Sequence, residues 1–224
     1  MTRKRPTAQR FSTCIVLALT GALLMTGCDL SPAPTGDALY ADAEQTYLEY
    51  REVVSELQLE YHDGPWKVGS MGSYGMQPNQ CDNDKGYNFS LHRSIRLDGS
   101  QREEYADIAE RFLKDKGLSP SRQVIGADDN DGQVLQVIVR NQADYELFLV
   151  RFLKNGSIGI SVDTACRPGD AFELSDMLFG DVNFLGGYLP SDVEAPTDPL
   201  FFGITPGDPQ FVREDPTPTP TPIP

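Results

Sequence analysis

The sequence predicts an α+β domain: two helices packed on one antiparallel sheet of about five strands, with one disulfide and a disordered Pro/Thr-rich tail. Three observations predict this class. Two stretches, from Asp37 and from Ser100, repeat apolar side chains at helical steps of three and four. Runs that alternate apolar with polar residues lie between and beyond them, bounded by Gly, Asn and Asp. Past residue 28 the chain holds a single pair of cysteines, Cys81 and Cys166.

At the N-terminus, residues 1–10 contain Arg3, Lys4, Arg5 and Arg10 and no acid, and the run from Cys14 to Met25 carries no charge. A basic segment, a short apolar run and small residues after it are the parts of an export signal. The run is short of the ~20 residues a membrane span needs, which sets it against an uncleaved anchor. Met25-Thr26-Gly27-Cys28 resembles the bacterial lipobox, with Met25 where Leu is usual. That resemblance implies a signal peptide over 1–27, a diacylglyceryl group on the Cys28 sulfur and cleavage before it. A plain secretory signal whose cysteine pairs elsewhere is the other reading. Two or more acyl chains give stable anchoring, so the protein is expected lipid-anchored on the extracytoplasmic face of the cell membrane.

The chain of 224 residues has 19 Lys+Arg, 33 Asp+Glu and a net charge of −14. Residues 1–27 hold four of the bases and no acid, so the remainder carries 15 bases against 33 acids, a formal −18. That excess disfavours nucleic acid and anionic lipid headgroups as direct partners, because both need basic surfaces. Residues past 27 suffice for one ordinary core. With Cys14 lost in the leader and Cys28 lipidated, Cys81 and Cys166 remain as one pair in an oxidising compartment, where a disulfide is the default.

Residues 28–36 read as the lipidated terminus and a Pro-containing spacer, 37–190 as the globular domain and 191–224 as a Pro-rich tail. Tyr40, Ala43, Tyr47, Tyr50, Val54, Leu57 and Tyr61 form one helical stripe, with most acids off it. It predicts a helix docked on the sheet with phenol tips at its rim, ended by Gly64-Pro65. The irregular segment 64–86 contains the single tryptophan, Trp66, with Met71, Tyr74 and Met76 beside a cysteine. Two readings stand for it: a binding loop on a rigid scaffold, or a strand from Trp66 with the indole capping the core. It has neither a phosphate-loop pattern nor a complete nucleophile elbow.

Tyr87, Phe89, Leu91, Ile95 and Leu97 alternate with polar residues as in a half-buried strand. Arg93 is the one charge on its apolar face, which calls for an ion pair or a strand end, and less often an anion site. Ser100 and Glu103 form a capping box for the second helix, with Tyr105, Ile108, Ala109, Phe112 and Leu113 inward and a stop at Gly117. Gln123–Ala127 and Gln133–Arg140 predict strands around the acidic turn at 128–132. An EF-hand register there would begin at Ala127 and end at Ile138, neither an oxygen-bearing side chain, so a hairpin turn is expected rather than a calcium site. Tyr145–Leu153 predicts a central strand, and Asn155-Gly156 turns it into Ser157–Ala165. Phe172, Leu174, Met177, Leu178 and Phe179 suggest a short helix or wrapping segment, and the Thr-Pro repeats at the end a polyproline-type tail.

His62 and His92 are the only histidines. No metal-ligand cluster and no catalytic set is expected from the spacing, and no cofactor. Lipobox, Tyr-rich first helix, Trp66 segment and Cys81/Cys166 pair together resemble small actinobacterial lipoproteins of the LppA type. The resemblance implies location and fold more than activity. The expected function is therefore a lipid-anchored, non-catalytic binding or interaction module with an envelope protein or glycan partner. The alternatives are an envelope hydrolase using surface carboxylates and a small solute-binding lipoprotein.

Overall fold

The computed structural model of the chain describes residues 32–68, 75–82, 84–127, 132–180 and 193–203. The leader with Cys28, the loop positions Met71 and Tyr74, the turn at 128–131 and the tail from 204 lie outside the described residues.

Helix α1 (Gly36–Leu59) follows the tyrosine stripe and buries Leu39, Ala43, Tyr47, Tyr50, Val54 and Leu57. It stops ahead of Gly64-Pro65, with the His62 amide donating back to the Gln58 carbonyl at 2.8 Å. The outer tyrosines behave as rim phenols: Tyr40 donates to the Phe202 carbonyl at 2.9 Å and Tyr61 to the Tyr105 carbonyl at 3.0 Å. Tyr47 and Tyr50 are instead buried whole.

The remaining elements are β1 (Trp66–Val68), β2 (Pro78–Cys81), β3 (Gly86–Arg96), α2 (Arg102–Asp115), β4 (Ser121–Ile125), β5 (Val134–Gln142), β6 (Tyr145–Leu153), β7 (Ser157–Thr164), β8 (Arg167–Pro168), α3 (Ala171–Phe179) and β9 (Val193–Glu194). The strands form one antiparallel sheet in the order β4-β5-β6-β7-β3-β1-β9, with β2 and β8 also paired to β3. The α+β class and the antiparallel sheet hold. The five long strands are those the alternation predicts; β1, β2, β8 and β9, of two to four residues each, are too short to show a period. The third helix is the apolar segment after Arg167, begun by Asp170, whose carboxylate accepts from the Phe172 and Glu173 amides.

A different residue starts the second helix from the one the capping box suggests. A 3₁₀ turn over Gly99–Gln101 precedes α2, and Asp98 accepts from the Ser100 amide at 2.9 Å and its hydroxyl at 2.8 Å. Ser100 is thus inside the turn, two residues past its cap. Gly156 has φ +86° between β6 and β7, where an added Cβ would stand 2.0 Å from the Leu97 carbonyl oxygen. Only glycine fits there.

Because paired residues share a face, the registers sort the sheet. One row of partners is Arg122, Val137, Val150, Ile160, Arg93 and Val68. Apart from Arg122 and Val68 these are buried, and with Phe148, Phe152, Ile158 and Val162 they meet α1 and α2 in a single core. The alternate row is Gln123, Gln136, Arg151, Gly159, Ser94, Lys67 and Val193. Among the described residues no helix packs on that side.

The tail boundary at 191 needs correction. Residues 193–203 belong to the fold: β9 extends the sheet, and Phe202 packs its ring against Tyr40, Tyr47 and Phe89 at 5.1 to 6.0 Å between centroids. Proline content misleads here, since an edge strand and a docked aromatic tolerate it.

Candidate functional site

Trp66 and Met76, half of the predicted binding loop, are fully buried. The indole sits in the core, donating Nε1–H to the His62 carbonyl at 3.2 Å and packing 6.3 Å from the Tyr61 ring. A strand over Trp66–Val68 and a core-capping indole are found at the start of the segment; these two side chains offer no surface to a ligand, and Met71 and Tyr74 lie outside the described residues. Large apolar rings gain more from burial than from solvent.

Cys81 and Cys166 form the expected disulfide. Cys81 ends β2 and Cys166 precedes β8, so the bond closes the β2-β3-β8 end of the sheet. Gly86 passes beneath it, where a Cβ would meet the Cys166 sulfur at 2.6 Å and the Arg167 carbonyl at 2.7 Å. An open depression of about 390 Å³, lined by Asp82, Lys85, Arg167 and the Cys166 side, lies beside the bond with both charge signs mixed on its walls.

The inward Arg93 finds its ion pair. Its Nη2 donates to Glu194 Oε2 at 2.7 Å, and Arg51 of α1 contacts the other oxygen, Oε1. All three side chains are nine-tenths buried or more. Arg51 Nη1 also donates to the Tyr47 hydroxyl at 2.8 Å, and Arg93 Nη1 to the His92 carbonyl at 3.0 Å. Burial alone would push both guanidiniums below their ordinary pKa. It does so at Arg93; at Arg51 the pull of Tyr47 and Glu194 outweighs it. A carboxylate holding two arginines fastens β9 to α1 and β3 across 143 and 101 residues of sequence. Nothing in the cluster faces solvent, so its role is fastening.

Gln58 is likewise fully buried on α1, and neither amide atom has a hydrogen-bond partner among the described residues. An unsatisfied buried amide costs roughly 1–3 kcal/mol. Gln58→Met, of similar shape, is expected to raise stability by about 1 kcal/mol. The denaturant midpoint would rise at unchanged slope; a fall would contradict the unpaired amide.

The uncovered sheet face is where polar chemistry meets solvent. Among the described residues it presents Lys67, Arg96, Arg140 and Arg151, with Asp163 as the one carboxylate in its strand rows and with Ile138, Leu147 and Leu149 as an apolar group between the bases. None of these four bases has a carboxylate within 4.0 Å among the described residues, nor have Lys85 and Arg111 elsewhere, whereas Arg51, Arg93, Arg102, Lys114, Lys116, Arg122 and Arg167 all do. Gly159 lets two larger groups lie against the sheet: an added Cβ there would stand 3.4 Å from His92 Cε1 and 3.9 Å from the Arg151 guanidinium.

On the same face, His92 Nδ1 lies 3.0 Å from Ser161 Oγ, a pairing that no sequence spacing revealed. Burial first, then Arg151 and Arg93, holds the imidazole below its ordinary pKa. Nucleophilic catalysis wants the reverse, a carboxylate orienting the base and stabilising its charged form. Here the neighbours are cations, so the contact reads as a cross-strand hydrogen bond. His62 is exposed after α1, its Nδ1 accepting from the Gly64 amide at 2.7 Å. Among the described residues no three His, Cys, Asp or Glu side chains gather to hold a metal, and no helix is long and apolar enough to cross a membrane.

Fold and surface thus define an α+β domain with one sheet face under helices and, among the described residues, no helix on the other, which mixes four bases with Ile138, Leu147 and Leu149. Comparison with family models, with curated proteins and with solved structures finds no match.

Proposed function

We propose that the chain is a lipid-anchored envelope protein, tethered through Cys28 outside the cell membrane, whose domain is a non-catalytic interaction module. The observation that carries the second half is the bare face. A strongly acidic chain leaves four bases there without carboxylate partners among the described residues, although carboxylates outnumber bases by 33 to 19. Charge of the minority sign on an open sheet adds little to stability, since even a paired surface charge is worth only about 0–1 kcal/mol, and it suits recognition of a partner of opposite charge. What supports the first half is the leader: the basic segment, the apolar run and Met25-Thr26-Gly27-Cys28. An LppA-type likeness rests on the same residues.

Fractionation of cells making the wild-type chain and Cys28→Ala tests the anchor. The wild type is expected in the membrane fraction with labelled palmitate incorporated, and the variant unlabelled and off the membrane or retained as precursor. Equal membrane retention and labelling of both would overturn it. The hydrolase alternative has only Asp163 to work with on this face, too few for a carboxylate pair.

A further inference from the structure

We infer that the hollow over Gly159 on the uncovered sheet face is a binding site for one phosphate group, free or as a monoester, held by Arg151, His92 and Ser94; this deepens, and rests on, the reading of that face as the interaction surface. The first observation is the floor. Gly159 of β7 has no side chain, and its cross-strand partners are Arg151 of β6 on one side and Ser94 of β3 on the other. Strands lie ~4.8 Å apart, so the two flanking side chains wall a strip of bare backbone. A Cβ added at Gly159 would stand 3.4 Å from His92 Cε1 and 3.9 Å from both Nε and Nη2 of Arg151. Imidazole and guanidinium thus flank one point and are no further apart than those two distances laid end to end. An anion seated there can take charge-assisted hydrogen bonds of ~2.8 Å from each.

The second observation is charge. Arg151 has no carboxylate within 4.0 Å among the described residues, and Lys67 stands one strand beyond Ser94 in the same row. Asp163 is four residues along β7 from Gly159, roughly 14 Å at the backbone. The charged groups around His92 are therefore Arg151 from β6, Lys67 from β1, Arg93 and Arg96 of its own strand, and the more distant Asp163 of β7. Burial, Arg151 and Arg93 keep the ring neutral near neutral pH, and an arriving anion would draw a proton onto it. The third observation is how the donors are laid out, which selects the ligand. A planar carboxylate is matched by the fork of one guanidinium. Here the fork of Arg151 and the hydroxyl of Ser94 come from opposite sides of Gly159, with the imidazole as a further donor. Phosphate offers three strong acceptor oxygens to such a set. The apolar group on this face stops one row away, at Leu149, the partner of Ser161.

Full-length protein in neutral detergent, followed by NMR at its histidine Cε1–H signals and titrated with glycerol phosphate or inorganic phosphate, tests the inference. His62→Gln assigns the two signals. The His92 signal is expected to shift saturably and its titration midpoint to rise, because a bound anion stabilises the protonated ring. His62, exposed past α1, should respond no more than it does to sodium chloride of equal ionic strength. Equal affinity for the two probes assigns the site to the free ion, and tighter glycerol phosphate assigns it to an ester. Arg151→Gln should weaken binding by roughly tenfold or more. Gly159→Ala, which sets a methyl on the floor and keeps every charge, should do the same, while Arg111→Gln, on α2, leaves binding unchanged. Unaltered circular dichroism and Trp66 fluorescence keep these comparisons about the site. No saturable His92 shift, a shift that sodium chloride reproduces, undiminished binding by Arg151→Gln or Gly159→Ala, or acetate bound as tightly as phosphate would overturn it. Tight acetate binding would do so while leaving the face an interaction surface for carboxylates. Loss of anchoring in Cys28→Ala is read in cells and is a separate failure.

Discussion

Glu194→Ala is expected to destabilise the domain by about 3–5 kcal/mol, the cost of leaving buried charge without its partner. That is a large share of the ~5–15 kcal/mol that holds a typical fold. The size follows from desolvation: Arg51 and Arg93 are each 2 % exposed and both spend a guanidinium nitrogen on this carboxylate. Trp66 is the cross-strand partner of Glu194, so the fluorescence of the single tryptophan reports the transition directly. The same physics predicts that Arg51→Met/Arg93→Met/Glu194→Leu recovers most of the loss, since apolar replacement of a whole buried ionic cluster is often neutral or better. An alanine variant within 1 kcal/mol of wild type, or a triple variant no better than the single, would refute the fastening role.

Removing the disulfide ranks next. Cys81 and Cys166 close a loop of 85 residues, for which chain entropy gives about 4–5 kcal/mol, a ceiling reached only if the reduced chain is unstructured. Cys81→Ala/Cys166→Ala is expected to lose up to that amount in urea unfolding. Thiol reductant should mimic it at neutral pH, because Cys166 is solvent-exposed. Stability unchanged by both treatments would show that β2 and β8 hold to β3 without the bond.

The periodic parts of the fold were legible in the residues. Steps of three and four put Tyr47, Tyr50 and Val54 on the core side of α1, and alternation put Tyr87, Phe89 and Leu91 inward on β3. Helix and strand periods act over a few residues, so they survive in the linear text. The short strands did not, and neither did the fate of Trp66, because the segment around it carries no period to decide between loop and core. Arg93 announced the need for a partner without naming it; any of 33 carboxylates qualified. The one that answers sits in a stretch whose prolines had marked it as tail.

What the sequence determined by itself is local: two amphipathic helices, five long strands, one cysteine pair, and an acidic chain behind a basic and then apolar N-terminus. Tertiary structure alone decided which acid is buried between two arginines, that His92 meets Ser161 at 3.0 Å, and that four bases without an ion pair among the described residues share one face. Each of these depends on strand order and register, set by contacts a hundred or more residues apart. Charge and burial take their meaning from such neighbours: an Asp or Glu in water and Glu194 in the core are the same letter until the fold removes the solvent.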